Sequence, residues 1–177
     1  SPALITTASR RASDRSDDVK FHVMDARRLA WRESFDYAII ALNTFSLFSP
    51  YDSGLVLAGL RRALRSGGRL FMDLDNRPHA QRYGERTNDW YLSPDGLTLQ
   101  ETCFHQDVSV EVTRDLIVTS EANQIEQFLY FMRLYSYEEI CDLLKHYGFE
   151  IEQAYGWWDC STLKETSSKI MLVAVKN

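Results

Sequence analysis

The sequence predicts an α/β fold: a mostly parallel sheet with helices on both faces and an antiparallel β insertion laid over one end as a cap. Three observations carry this reading. Two apolar runs of strand length, residues 35–42 and 69–75, flank a helical pattern and are joined to it by short connections, the signature of a βαβ crossover. From Arg77 to about residue 134 the pattern changes to long alternating stretches. The chain then returns to a helix followed by two strands. At 177 residues one domain accommodates all of it, residues 1–177, with the cap at 77–134.

Each element has a local reason. Ser1 is placed to cap a helix and Pro2 suits its first turn, with Leu4, Ile5, Ala8 and Ala12 on one face. The polar run Ser13–Asp18 ends it, and residues 19–24 read as a strand that stops at Asp25. Residues 35–42 are apolar almost throughout, as a strand covered on both faces should be. Asp52 or Ser53 is the expected cap of the next helix, which carries Leu55, Val56, Leu60, Ala63 and Leu64 and ends near Arg65-Ser66-Gly67-Gly68. The strand that follows ends in acids, Asp73 and Asp75.

In the insertion, Pro94-Asp95-Gly96 between two extended runs signals a hairpin. Residues 107–113 alternate, with Val108, Val110 and Val112 on one side and Ser109, Glu111 and Thr113 on the other, and residues 124–135 form a further extended run. Ser136 with Glu139 makes a capping box, Ile140, Leu143, Leu144 and Tyr147 form the buried face of that helix, and Gly148 ends it. Two last strands are joined by the loop Trp158–Ser168.

Charge and cysteines exclude several function classes. The net charge of −5 argues against a grip on nucleic acid or on an anionic membrane. Three widely spaced cysteines, Cys103, Cys141 and Cys160, contain no CxxC and give neither a zinc site nor a disulfide framework, so no metal is expected. Without a signal-like or membrane-length apolar stretch, the expected location is cytoplasmic.

In an open α/β sheet, ligands bind outside the carboxyl ends of the strands. Three such ends are readable: Asp25-Ala26-Arg27, Asn43-Thr44-Phe45-Ser46 and Asp73-Leu74-Asp75-Asn76. A carboxylate there can accept from an exocyclic amine while the next backbone N–H donates to a ring nitrogen, a workable reader of an adenine edge.

Taken in order, the segments SPALITTA, VKFHVMDARRL, FDYAIIALNTFSLF, LRRALRSGGRLFMDL and YSYEEICDLLKHYGFEI resemble the class I S-adenosylmethionine-dependent methyltransferases, whose fold is Rossmann-like. The resemblance implies S-adenosyl-L-methionine as cofactor and methyl transfer to a nitrogen or oxygen of a small molecule. It matches Asp25 and Ala26 to the adenine contacts, with Arg27 beside them. Asn43, Thr44 and Phe45 match the loop against the methionine and ribose portions. Tyr83, Trp90, Tyr91 and Trp157 are candidates for lining the acceptor pocket, and His105, inside the cap, for the catalytic base; each could equally be a packing residue. The family's Gly-rich E/D-x-G-x-G loop is missing, since the eight glycines include no GxG. Ser1-Pro2 matches the residues just after the family's ribose acid, so the first two strands of the family fold are expected to be missing upstream and this chain alone to bind the cofactor poorly. The alternative is a non-catalytic methyltransferase-like module that binds a partner or forms a homodimer through its cap. A short-chain dehydrogenase would need Tyr-x-x-x-Lys on a helix, but Tyr137 is followed at that offset by Cys141.

Overall fold

The computed structural model describes residues 1–15, 18–84, 86–93, 96–119 and 125–177. Ser16 and Asp17 of the polar run, Pro94 and Asp95 of the predicted turn, and Gln124 lie outside them. The described residues form two four-stranded sheets, ordered β1-β2-β8-β7 and β3-β4-β5-β6.

The first sheet holds β1 (Phe35–Ile40), β2 (Leu64–Asp75), β7 (Phe149–Tyr155) and β8 (Lys169–Lys176). The β1–β2 pair is parallel and joined through α2 (Pro50–Ala63), as the βαβ pattern requires. The pairs β2–β8 and β8–β7 are antiparallel, so this sheet is mixed and not mostly parallel. Apolar content alone does not encode strand direction, and the return from β7 to β8 reverses it here.

Leu70, Met72 and Leu74 on β2 share a sheet face with Ile170, Leu172 and Ala174 on β8. On that face Val56 and Leu57 of α2 and Ile140 and Leu144 of α4 (Tyr137–His146) complete one core. Each fully buried aliphatic side chain there contributes roughly 1.5–3 kcal/mol. Both helices therefore cover the same face, which corrects the expectation of helices on both. The opposite face carries Tyr37 and Ile39, 69% and 71% exposed. Helix α1 (Pro2–Asp14) does not cover it: Leu4, Ala8 and Ala12 share a shallow groove with Val19 and Phe21.

Residues 19–24 are extended but enter no ladder among the described residues, so the strand expected there is not formed. A strand is defined by its ladder partner, and no described residue supplies one to this segment. The cap of α2 is Ser49, whose hydroxyl accepts from Asp52 N–H, with Pro50 at the first position. The Ser-Pro pair decides this over Asp52 or Ser53. The helix stops at Ala63, and Arg65–Gly68 belong to β2, where the register slips between Phe35 and Tyr37 and Gly67 takes φ +72°. The capping box of α4 is present in both directions, and Gly148 follows at φ +78°.

After α3 (Arg77–Tyr83), the second sheet is a meander of β3 (Arg86–Ser93), β4 (Gly96–His105), β5 (Val110–Thr119) and β6 (Ile125–Arg133). The strand expected over residues 107–113 begins only at Val110, because Asp107–Ser109 form the turn from β4.

Candidate functional site

The candidate site lies at the carboxyl edge of β1 and β2, where the second sheet meets the first. Its keystone is the turn after β1. Leu42 and Asn43 are both left-handed, φ 59° and 57°, which costs energy for residues with a Cβ. The side chain of Asn43 holds the turn. Its Nδ2 donates to Asp75 Oδ2 at 2.6 Å, and its Oδ1 accepts from Asp75 N–H at 3.1 Å and from the Ser46 hydroxyl at 2.7 Å. The Asn43 N–H donates to Asp73 Oδ2 at 3.2 Å.

Lys169, the first residue of β8, closes the other side of this cluster. Its Nζ lies 2.6 Å from Asp75 Oδ1 and 3.6 Å from Asp73 Oδ2. Asp73 is only 1% exposed, and its Oδ1 has no hydrogen-bond partner among the described residues. A buried acceptor left open marks a place where a donor fits.

The second sheet presents its inner face here. Asn43 Nδ2 also lies 3.3 Å from Met132 Sδ on β6. Glu111 on β5 is paired directly with Met132, so both project from the same face. Burial, reinforced by the Asp75 carboxylate and opposed by Lys169, pushes the Glu111 carboxyl above the usual range. Further out on that face Gln100 donates to Asp115 at 2.9 Å, Tyr130 reaches the same carboxylate at 3.4 Å, and Thr102 meets Thr113 at 3.1 Å. Tyr91 shares this face, being paired with Thr98.

The described residues bring Asp25 to the same edge through α2. Asp25 caps a 3-10 turn, Ala26–Arg28. Arg27 grips its carboxylate with Nε and Nη2, at 2.8 Å for the shortest contact, and also reaches Asp52 in the first turn of α2 at 3.3 Å. The Arg27 guanidinium holds the Asp25 carboxyl down at about 2, so it stays an acceptor under all ordinary conditions. Gly59 lets this segment approach α2: a methyl there would sit 3.3 Å from Leu29 Cβ.

The Thr44 hydroxyl donates to Ala41 C=O at 2.6 Å. Phe45 is fully buried in the core, 5.9 Å ring to ring from Tyr135. Trp90, next to Tyr91 on a strand, points to the opposite, outer face. His105 is exposed at the turn end of β4, paired with Val110 and on the outer face, away from Glu111. Tyr83 is 59% exposed and lies 4.9 Å from the His79 ring, and Trp157 is 44% exposed in the loop after β7. Sequence reading passed over Glu111, Met132 and Lys169. The alternation in β5 already put Glu111 on the polar side; what was missing is that the polar side faces the site.

Residues 1–68 match a family model described as a methyltransferase domain. No curated protein matches the chain. Among solved structures, an S-adenosylmethionine-dependent methyltransferase from Clostridium acetobutylicum matches with a TM-score of 0.86 at 14% identity, over 100% of this chain and 72% of that one. CalS10, an amino pentose methyltransferase from Micromonospora echinaspora, matches at TM-score 0.69 and 17% identity, over 100% and 71%. KedS8, a sugar N-methyltransferase from Streptoalloteichus, matches at 0.67 and 16%, over 98% and 69%. The fold is thus that of the class I S-adenosylmethionine-dependent methyltransferases. No helix among the described residues is long and apolar enough to cross a membrane.

Proposed function

We propose that this chain serves S-adenosylmethionine-dependent methyl transfer to a nitrogen or oxygen of a small molecule held between the sheet edge and the inner face of the second sheet. The observation that carries it is the meeting of Glu111 with the Asn43–Asp75–Lys169 cluster at the carboxyl edge of β1 and β2. The residues present fit the cofactor in part: Arg27 keeps the Asp25 carboxylate ionised down to about pH 2, and Asn43 hydrogen bonds hold the turn after β1. Asp25 with Ala26 would hold the adenine and the turn after β1 the methionine end. When bound, the cofactor supplies an electrophilic methyl on a sulfonium.

This chain's part is to position the acceptor and take its proton. As the acceptor's nitrogen or oxygen gains a methyl, it loses a proton. Glu111, with its raised pKa, is the better-placed base than His105, which lies on the outer face. Tyr91, Gln100, Asp115 and Tyr130 offer hydrogen bonds to a polar acceptor. The structural neighbours that act on amino sugars support such an acceptor.

The test is transfer of labelled methyl from S-adenosylmethionine to a panel of small amines and alcohols. It is run on this chain and on a version with an upstream strand–helix–strand segment bearing D/E-x-G-x-G. Transfer by either form, lowered about 100-fold in kcat by Glu111→Gln with cofactor affinity unchanged, is the expected result. Cofactor binding without transfer to any acceptor favours the non-catalytic module, and neither binding nor transfer overturns the proposal.

A further inference from the structure

Charge is divided between the two faces of the second sheet. By the strand registers, Asp89 of β3, Glu111 and Asp115 of β5 and Glu126 of β6 project from the inner face. Arg86, Arg114 and Arg133 project from the outer face. Among the described residues of β3–β6, no Lys or Arg stands on the inner face. Cations beside the site are already engaged, Lys169 with Asp75 at 2.6 Å and Arg77 with Glu139 at 2.7 Å. Asp115 accepts from neutral groups, Gln100 Nε2 at 2.9 Å and the Tyr130 hydroxyl at 3.4 Å. Glu111 lies between its cross-strand partners Phe104 and Met132, neither of which carries charge. A half-buried carboxylate with no cation in contact costs free energy. The floor of the site adds an independent sign. Asp73 is 1% exposed, and its Oδ1 has no hydrogen-bond partner among the described residues. Positive charge and N–H donors are thus lacking together, and an ammonium group brings both.

We infer that the acceptor is a small diamine or polyamine, with one ammonium group at Glu111 and a second at Asp115. That one of its amines is methylated rests on the function proposed above. Glu111 and Asp115 share a face of β5 and stand about 13 Å apart along the strand. A flexible chain of roughly eight carbons between two amines spans that distance with each nitrogen in reach of its carboxylate. Glu111 is the reacting end. Its carboxylate takes a proton from the ammonium, and the freed nitrogen lone pair forms a bond to the methyl carbon of S-adenosylmethionine. The C–S bond breaks with its electron pair left on sulfur, so the sulfonium becomes a neutral thioether and the amine leaves as a methylated cation. Asp115 meets only the far end, where it selects and does not react. A phosphorylated or carboxylated acceptor would meet this wall of acids without a counter-charge, and like charge rejects it.

Calorimetric titration of the chain with α,ω-diaminooctane, octylamine and α,ω-octanediol tests this. The diamine is expected to bind roughly tenfold or more tighter than the monoamine, the effect of one added charge-assisted hydrogen bond, and the diol more weakly than either. Asp115→Asn is expected to bring the diamine down to the affinity of the monoamine and to leave the monoamine unchanged. Glu150→Gln, at an exposed acid paired with Val175 at the opposite edge of the first sheet, is expected to change neither. That control separates a built site from the pull of an acidic chain on any cation. Circular dichroism confirms folding of both variants, and if Asp115→Asn does not fold, the wild-type ranking of the three probes decides alone. A diol or monoamine as tight as the diamine, or a loss in Glu150→Gln equal to that in Asp115→Asn, overturns the inference. The labelled-methyl assay separates it from the reading it rests on. Transfer to alcohols with the diamine unbound overturns the inference and keeps methyl transfer, whereas diamine selectivity without any transfer keeps the charge selection and removes methyl transfer.

Discussion

The two sides of the first sheet show what an apolar segment needs in order to become structure. On the β8–β7 side every strand has a neighbour, α4 covers the face, and Ile140, Leu144, Phe149, Ile170 and Leu172 are at most 1% exposed. On the β1 side Tyr37, Ile39 and Leu42 stand 69%, 71% and 82% exposed, and residues 19–24 enter no ladder among the described residues. The residue types are alike. What differs is whether another element meets them. Hydrophobic pattern states a capacity for burial, and only tertiary partners realise it.

The sharpest way to break this comparison is to truncate one side chain on each side. Leu144→Ala is expected to cost about 2–5 kcal/mol in urea unfolding, since it leaves a cavity in a filled core. Leu4→Ala, at a residue of α1 that is itself 71% exposed, is expected to stay within about 0.5 kcal/mol. Equal losses would mean that α1 is packed as tightly as α4.

A second prediction concerns the turn that lies between the two sides. Asn43→Ala removes the partners of Asp75 and Ser46 and keeps a left-handed residue with a Cβ, for an expected loss of about 2–3 kcal/mol. Asn43→Gly loses the same bonds without the backbone strain and should fall about 1 kcal/mol short of that. Identical values for the two variants would remove backbone strain from the account.

The smallest effect is at Asp25. Its carboxyl sits at about 2 because Arg27 is bonded to it, against an ordinary 3.8. A depressed acid stabilises the fold above its unfolded value and loses that contribution as pH falls from there through about 2. Arg27→Ala is expected to return the Asp25 midpoint toward 3.8 in a carbon-detected NMR titration. The pair is exposed, so salt should blunt the shift. An unmoved midpoint would transfer the cause to the turn backbone.

Much of the fold was legible. The βαβ unit, the capping box at Ser136 and Glu139, the Gly148 stop and the helix–strand–strand tail follow from local chemistry that acts within a few residues. The mixed direction of the sheet and the bare face were not legible, because both depend on which elements meet. The same limit governs the site. Asn43, Asp73 and Asp75 could be placed at one sheet edge because they follow strand-like runs, whereas Asp25 was placed there by a strand that does not form among the described residues. Glu111 and Lys169 could not, since nothing local says that the polar side of β5 looks toward β2. His105 and Trp90 fall on the far side by strand parity alone, one residue out of step with the inner face.

The Asn43 turn has one further consequence. A single amide bonds the end of β1 to both the backbone and the carboxylate at the end of β2, and it touches Met132 of the second sheet. The loop that would take the cofactor and the wall that would take the acceptor are thus one mechanical unit. A ligand that shifts one must do work on the other, so each should change the other's affinity by the same factor. In such a molecule the coupling between two substrates runs through one side chain.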